Sequence, residues 1–386
     1  MKLDFLTSKM TLRNKSVYFS PDFIIGDVKD LMIKGKSFYA FWDDDVGLWS
    51  TSELRLGKVV DDITLKEAED KFKGTGYVYE SMGLASSNVK ANFNNYCKNL
   101  MPDCYHMLNQ RVVFSNQETK REDYASFKLP YALAKGTTDA WDTLLERLYG
   151  PTERQKIEWA IGCLVSGEQS KHQKCFIFYG DKGTGKSTIL NIIDSMFEGY
   201  TCPFNAKALG STTDSYALEP FKDFPLIAIE HEADLSRIES NARLNSLVSH
   251  EPMVVNEKFK GLYKASFNTF LFMGTNNPVR ITDAKSGLLR RLIDISPTGN
   301  LFSVSEYNKL NHDVKFEYGA IAYKCQEFYL KNRHMFASYI PTLMIDETND
   351  TYNFYEEYAD ILKEKDAVPL SYLWTEYKRY CEDAKV

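Results

Sequence analysis

The spacing of apolar positions along the chain changes period more than once, and each change marks a segment. From residue 1 to about 135, short aromatic runs (SVYFSPDFII, SFYAFWDDDVGLWS, GYVYESMG, QRVVFSNQ) alternate with turn residues, as in a mixed α/β accessory domain. Helices are predicted there over Ile63–Phe72, with Thr64 as N-cap and Glu67 three residues on, and over Asn88–Met101. Asp43, Asp44 and Asp45 stand between Trp42 and Trp49. A solvated hairpin turn accounts for them better than a metal site, because Asp and Gly are turn residues. From Asp139 to Gly167 the apolar period becomes helical. Trp141, Leu144, Leu145 and Leu148 form one stripe, and Ile157, Trp159, Ala160, Cys163 and Leu164 form the next. Gly150-Pro151 breaks the two, with Thr152 predicted as N-cap, and plain core packing explains the pair. From 174 to about 298 strand, helix and strand patterns alternate, which predicts a parallel α/β sheet. Beyond Pro297 the chain is helical and polar over Val304–His334, Asp350–Leu362 and Leu370–Asp383, with Lys363–Pro369 between the last two. The final YKRYCEDAKV stops inside a helical pattern without a cap, as if the chain had been cut there.

The densest chemistry lies at the start of the α/β segment. Cys175–Tyr179 (CFIFY) has the composition of a buried strand, and Ile189, Leu190, Ile192, Ile193 and Met196 recur at helical spacing after it. Between them Gly180, Asp181, Lys182, Gly183, Thr184, Gly185, Lys186 and Ser187, followed by Thr188, satisfy G-x-x-x-x-G-K-[ST] in its required strand–loop–helix context. Glycines there let backbone N–H groups approach phosphate oxygens, and the following helix aims its positive end at the same anion. Lys186 would reach the β- and γ-phosphates of ATP, and the Ser187 hydroxyl would serve Mg²⁺.

Two further strands deliver polar residues at their carboxyl ends, where α/β sheets carry ligand sites. Pro225–Ile229 runs into Glu230-His231-Glu232, about 40 residues beyond the loop. A carboxylate there can hold Mg²⁺, and a neighbouring one can take a proton from attacking water. Which Glu has which role is open. In continued strand alternation both would share a face, with His231 opposite. Thr269–Met273 runs into Gly274-Thr275-Asn276-Asn277-Pro278, and Asn276 fits a sensor of the γ-phosphate or attacking water. Arg290 and Arg291, flanked by Leu288, Leu289, Leu292 and Ile293, suit the edge of a packed interface, where an arginine can reach a neighbouring subunit's phosphate. Between the second and third strands, HEPMVVNEKFKGLYKASFNTF alternates around Gly261 and gathers Lys258, Phe259, Lys260, Tyr263 and Lys264. It reads equally well as a DNA-binding hairpin and as a lysine-protected sheet edge.

Bulk properties narrow the class. At 386 residues, 44 % hydrophobic and 14 % aromatic, the chain can fill two or three domains. It has no apolar run of about 18 residues and no signal-peptide core near residue 1, so an intracellular, cytoplasmic protein without a membrane partner is expected. Seven cysteines without a C-x-x-C pair read as reduced thiols, and the −6 net charge excludes a uniformly basic surface but not a local basic lining.

Together the runs GDKGTGKST, YALEPFKDFPLIAIEHE, LNSLVSHEPMVVNEKFK, FLFMGTNNP and LLRR resemble the superfamily-3 helicases of the phage and viral primase-helicase branch. The stretch from NQRVVFSNQ to IEWAIGCLVSG is similar to the segment preceding that ATPase, and FYEEYADILKEKDAVPLSYLWTEYKRYCED to the start of its winged-helix region. The resemblance implies an AAA+ ATPase ring, usually a hexamer, moving 3′ to 5′ on single-stranded DNA. It makes Glu230 the second-motif acid, Asn276 the sensor, Arg291, with Arg290 as the second choice, the trans-acting finger, and Lys258 and Lys260 part of a channel hairpin. His231 departs from the paired acids usual at that position. The expected division is an accessory domain over 1–135, a helical oligomerisation subdomain over 136–170, the ATPase core over 171–298 and a helical, partly winged-helix region over 299–386. No primase-type acidic triad or zinc-ribbon cysteines occur in the first 135 residues, so a primase or polymerase partner would lie on a removed segment or another chain. The sequence reading is an ATP-driven DNA helicase module of a phage or mobile-element replication protein. Its rival is a nucleotide-dependent switch or loader on DNA that recruits replication partners without unwinding. A small-molecule kinase fits less well, since it requires neither the arginine pair nor the lysine hairpin.

Overall fold

A computed structural model describes residues 2–13, 16–100, 104–234, 240–258, 262–278 and 287–342, together with 344, 351, 354, 355, 358, 362 and 367–384. The chain divides into two compact units, Met1–Ala132 and Leu133–Val386.

In the first unit, β1 (Leu6–Arg13) pairs antiparallel with β2 (Ser16–Phe23), whose Val17 and Phe19 point into the core while Ser16, Tyr18 and Ser20 point away. A second sheet is a meander of β3 (Leu31–Lys34), β4 (Ser37–Asp43) and β5 (Leu48–Ser50). The helix α1 (Glu53–Phe72) follows, then β6 (Val78–Ser81), parallel to β2, and α2 (Ser87–Asn99). Phe5, Phe41, Leu56, Val60 and Phe93 meet in its largest core cluster.

Two expectations are corrected here. The helix predicted from Ile63 begins ten residues earlier, where the Ser52 hydroxyl accepts from Arg55 N at 3.2 Å. Thr64 is no cap: it is buried inside α1 and donates back to Val60 O at 2.8 Å. The acidic hairpin is a hairpin, with Trp42 opposite Trp49, but it is not simply solvated. Asp43 is buried and takes Arg55 Nε at 2.6 Å and Nη2 at 3.2 Å, which ties the hairpin to the first turn of α1.

The second unit opens with α3 (Asp139–Leu148) and α4 (Pro151–Val165). The cap of α4 is Gly150 with Pro151 in the first turn, not Thr152, because proline's fixed φ suits a position whose N–H is unsatisfied anyway. A parallel five-stranded sheet follows, built from β7 (Cys175–Tyr179), β8 (Thr201–Pro203), β9 (Ile227–Glu230), β12 (Phe270–Thr275) and β13 (Leu292–Ile295) in the order β13-β7-β12-β9-β8. The α5 helix (Lys186–Met196) leaves β7, α6 (Ala206–Gly210) follows β8, and α7 (Ala242–Val248) leads to the antiparallel pair β10 (Met253–Val255) and β11 (Tyr263–Ala265). The helices α8 (Val304–Asp313), α9 (Tyr318–Lys331) and α10 (Leu370–Ala384) complete the described chain. This is the α/β core with a parallel sheet expected from the alternating pattern. The predicted helix Asp350–Leu362 falls mostly outside the described residues.

Strands β7 and β12 are central, covered on both faces, and therefore apolar without alternation. Phe176 stacks on Phe272 at 4.9 Å between ring centres. On one side α4 is buried nearly all round, and α9 crosses it at Gly162. A Cβ there would lie 2.0 Å from Cys325 O, so only glycine permits this approach. Lys156, buried in α4, donates to Asp294 O of β13 at 2.6 Å and to Glu153 at 2.8 Å, fastening helix to sheet edge. The cysteines are free, and four of them are buried; burial pushes the Cys175 thiol up to about 12. No described helix is long and apolar enough to cross a membrane.

Candidate functional site

The glycine loop joins the carboxyl end of buried β7 to α5. Gly183 at φ 79° and Gly185 at φ 98° hold left-handed backbone that side-chain residues rarely adopt. Gly185 is also the N-cap of α5, so the loop curls round the helix's positive end. Thr184 closes the turn by donating to Asp181 O at 2.7 Å. Asp181, Lys182 and Ser187 are exposed, whereas Lys186 and Thr188 are buried. The Lys186 ammonium lies back along the loop and donates to Gly180 O and Asp181 O, both at 2.6 Å, and to Asn276 Oδ1 at 2.8 Å. Burial pulls its pKa below the usual lysine value, and Asp181 partly opposes that.

Strand register explains how Asn276 arrives. Thr275 is paired with Tyr179, so both strands end side by side and Asn276 emerges next to Gly180. One strand further out, Glu230 ends β9 opposite Met273. Its Oε2 accepts Ala206 N at 2.6 Å at the start of α6, and burial raises its pKa above the ordinary carboxylate value. The alternation expected to put Glu232 on the face of Glu230 is not present: β9 stops at Glu230, and His231 and Glu232 are exposed on a bend. The bend crosses β12 closely, since Ala233 N donates to Gly274 O at 2.7 Å and a Cβ on Gly274 would meet His231 O at 2.7 Å. Lys186, Asn276 and Glu230 thus share the carboxyl edge of the sheet, and Ser187 lies exposed at the mouth of the loop.

An apolar cleft of about 320 Å³ adjoins this loop, walled by Leu148, Leu301, Phe302, Val304 and Tyr307. Local pattern does not reveal it, because its walls come from the end of α3 and from α8 with the segment just before it, more than 150 residues away. One signal was legible: Ser303 and Glu306 form a capping box that starts α8 at the cleft.

The arginine pair lies at the opposite end of the sheet. Arg290 and Arg291 form a 3-10 turn just before β13, whose Leu292 pairs with Cys175 at the amino end of β7. Four residues of strand, about 13 Å, separate that end from the loop's beginning. Arg291 is buried and donates from Nε to Ser249 Oγ at 2.9 Å and from Nη1 to Gly287 O at 2.7 Å. Burial first, and then Arg290, lower its pKa. Both arginines border a cavity of about 700 Å³ shared with Lys171, His172, Lys174 and Arg333. Lys174, which no motif marks, donates to Arg290 O at 2.6 Å. The cleft's carboxylate, Glu168, is already paired with Lys171 at 3.0 Å and Arg333 at 3.1 Å.

Lys258 and Lys264 lie on or beside the β10–β11 ribbon and are exposed, Lys264 directly across from exposed Val254. Lys258 Nζ sits 5.8 Å from the ring centre of Tyr216. Phe259 and Lys260 lie outside the described residues, as does Gly261. Met253, Val255 and Ala265 turn the other face of the ribbon inward.

A sequence family described as a family of unknown function, DUF5906, matches residues 178–291, less than a third of the chain, running from the end of β7 to Arg291. Among curated proteins nothing matches this sequence. Among solved structures, the apo C terminal region of NrS-1 is similar at 17 % identity and TM-score 0.45, with 66 % of each chain covered. Two A-form apo structures of the same region are also similar. One has 17 % identity, TM-score 0.42 and coverage of 64 % of this chain and 62 % of that one; the other has 15 %, 0.47, and 96 % and 80 %. The chain therefore spans just under two thirds of the first two.

Proposed function

We propose that the second unit is an ATP-dependent DNA helicase module that works as a ring on single-stranded DNA. The observation that carries this reading is the convergence of Lys186 and Asn276, 2.8 Å apart, on a glycine loop at the carboxyl edge of a parallel sheet, with Glu230 two strands away. The residues suit a magnesium nucleotide. Ser187 stands exposed at the start of α5, and Glu230 supplies a carboxylate that, with the phosphates, is the small ligand set Mg²⁺ takes. Bound there, the ion would neutralise charge on the phosphates. Lys186 would exchange its carbonyl acceptors for phosphate oxygens, and Asn276 would orient the attacking water or the γ-phosphate. With Glu230 serving the ion, Glu232 on the exposed bend that follows would be the neighbouring carboxylate that takes the proton from the attacking water.

The distance of the pair from its own chain's loop supports action on a neighbour's nucleotide, and Arg290, exposed, is the one placed to reach it, whereas Arg291 is buried and bonded to Ser249 and Gly287 of its own chain. The exposed lysines of the β10–β11 ribbon support contact with a DNA backbone. The test is the ATPase rate with and without single-stranded DNA, over a range of protein concentrations, for wild type, Arg290→Ala and Arg291→Ala, with thermal unfolding to separate loss of fold at buried Arg291 from loss of a trans contact. DNA stimulation, a per-subunit rate that rises with concentration, and a loss of about 10³-fold in a variant that keeps the wild-type Tm are expected. A flat rate indifferent to DNA and to both arginine variants refutes the ring motor and favours a nucleotide-dependent switch or loader.

A further inference from the structure

The first unit carries a cleft of its own, which the helicase reading does not use. It holds about 530 Å³ between α1 and α2, and the loop of Leu84 and Ala85 forms a third wall. Leu54, Gly57, Lys58 and Asp61 recur along α1 at helical spacing and line one side, while Val59, Val60 and Ala68 turn into the core. Leu56, Leu84 and Phe93 make a buried apolar floor.

Three features distinguish this cleft from a plain crease between helices. Leu54 stands on it 88 % exposed. Gly57 lies inside a helix of 20 residues, where only proline is less favourable. Its packing does not demand glycine, since a Cβ there would come no nearer than 4.0 Å to Leu84 Cβ. Bare backbone on a cleft wall suits a group that lies against it. The third feature is Asp61. Its Oδ1 accepts Leu84 N at 3.0 Å, an approach that Gly83 permits because a Cβ there would overlap the carboxylate. Its Oδ2 has no hydrogen-bond or ion-pair partner among the described residues. Burial raises the Asp61 pKa, the Leu84 N–H opposes this, and neighbouring Asp62 raises it further. The lysines of the cleft do not answer that charge. Lys90 Nζ lies 3.6 Å from Glu53 Oε2, and Lys58 is exposed without an ion pair among the described residues.

We propose that the cleft binds a small organic cation, an ammonium or guanidinium group on an apolar body. The charge lies on Asp61, and the body crosses Gly57 towards Leu54. A half-buried carboxylate without a basic partner gains from a ligand that brings one, through a charge-assisted hydrogen bond. The size favours a small molecule over a peptide, because clefts of about 300–1,000 Å³ with apolar walls and few polar groups are the usual form of such sites. All the residues concerned belong to the first unit, so the inference stands apart from the nucleotide reading.

The experiment measures dissociation constants on the full chain by ligand-observed NMR. The probes are 2-phenylethylamine, phenylguanidine, the neutral analogue 2-phenylethanol and a capped leucine–lysine–leucine tripeptide. The proteins are wild type, Asp61→Asn and Gly57→Leu. Asparagine keeps an acceptor for Leu84 N and removes only the charge, and leucine favours the helix while filling the cleft. Wild type should bind at least one of the two small cations with Kd of about 1 mM or tighter, and the alcohol about tenfold more weakly or worse. Each variant should weaken the cation by about tenfold or more, with the Tm of Gly57→Leu level or raised. If Asp61→Asn also lowers Tm, Gly57→Leu decides. Lost cation binding at an undiminished Tm supports the site, and binding like wild type refutes it. Equal affinity for cation and alcohol, no binding of either small cation up to about 10 mM, or binding of the tripeptide alone would overturn the proposal.

Discussion

Replacing Gly185 by alanine tests the loop and the cleft wall together. The residue sits at φ 98°, ψ 3°, and a left-handed conformation costs a side-chain residue about 1–2 kcal/mol. A Cβ would also lie 3.0 Å from both methyls of Leu148, which is only 3 % exposed and has little room to retreat. Forcing that side chain off its rotamer costs about 1 kcal/mol more. Gly185→Ala should therefore lose about 2–3 kcal/mol, with Tm falling about 2–4 °C per kcal/mol for a unit of this size. The two contributions separate in a double-mutant cycle with Leu148→Ala. That change is itself costly, about 2–5 kcal/mol, but it empties the space the new methyl needs. In its background Gly185→Ala should cost only the backbone part, a coupling of about 1 kcal/mol. Thermal unfolding of the four proteins by circular dichroism gives the answer. Equal Tm losses in the two backgrounds would show that the Cβ does not meet Leu148. No loss in either would show that Gly185 is not left-handed.

Two other positions give outcomes of a different kind. Gly162→Ala puts a methyl 2.0 Å from Cys325 O, and the loss from parting α4 and α9, about 1–3 kcal/mol or more, should exceed the roughly 1 kcal/mol of helix propensity gained; a raised Tm would contradict the close crossing. Burial alone would raise the pKa of Glu168, but bonds from the Tyr329 hydroxyl at 2.8 Å, from Lys171 and from Arg333 outweigh it and hold the group below the ordinary carboxylate value. A depressed carboxylate adds stability above its unfolded pKa and loses it as pH falls through the folded one. Glu168→Gln should thus lower stability by about 1–2 kcal/mol at pH 7 and approach wild type in acid; a pH-independent difference in urea unfolding would refute the pairing.

What the sequence determined by itself is what depends on neighbours along the chain. Cys175–Tyr179, the glycines after it and the apolar stripe of Ile189 to Met196 specify strand, left-handed loop and helix locally, and the structure has all three in that order. Strands ending at Glu230 and near Asn276 were legible for the same reason, since buried parallel strands are unbroken apolar runs. Local pattern misled where tertiary contacts choose the ends of elements. The helix α1 starts at Glu53, capped by Ser52, where Arg55 of the first turn pairs with buried Asp43, and Thr64, with the composition of a cap, is carried inside. Only the tertiary structure decided that Asn276 meets Lys186, because strand order and register set that meeting. It likewise separated Arg291 from its own loop and assembled the apolar cleft from Leu148 and Phe302. Sequence specifies what each short segment prefers. Which distant segments share an edge depends on how buried faces are satisfied together, and no single window of the chain contains that information.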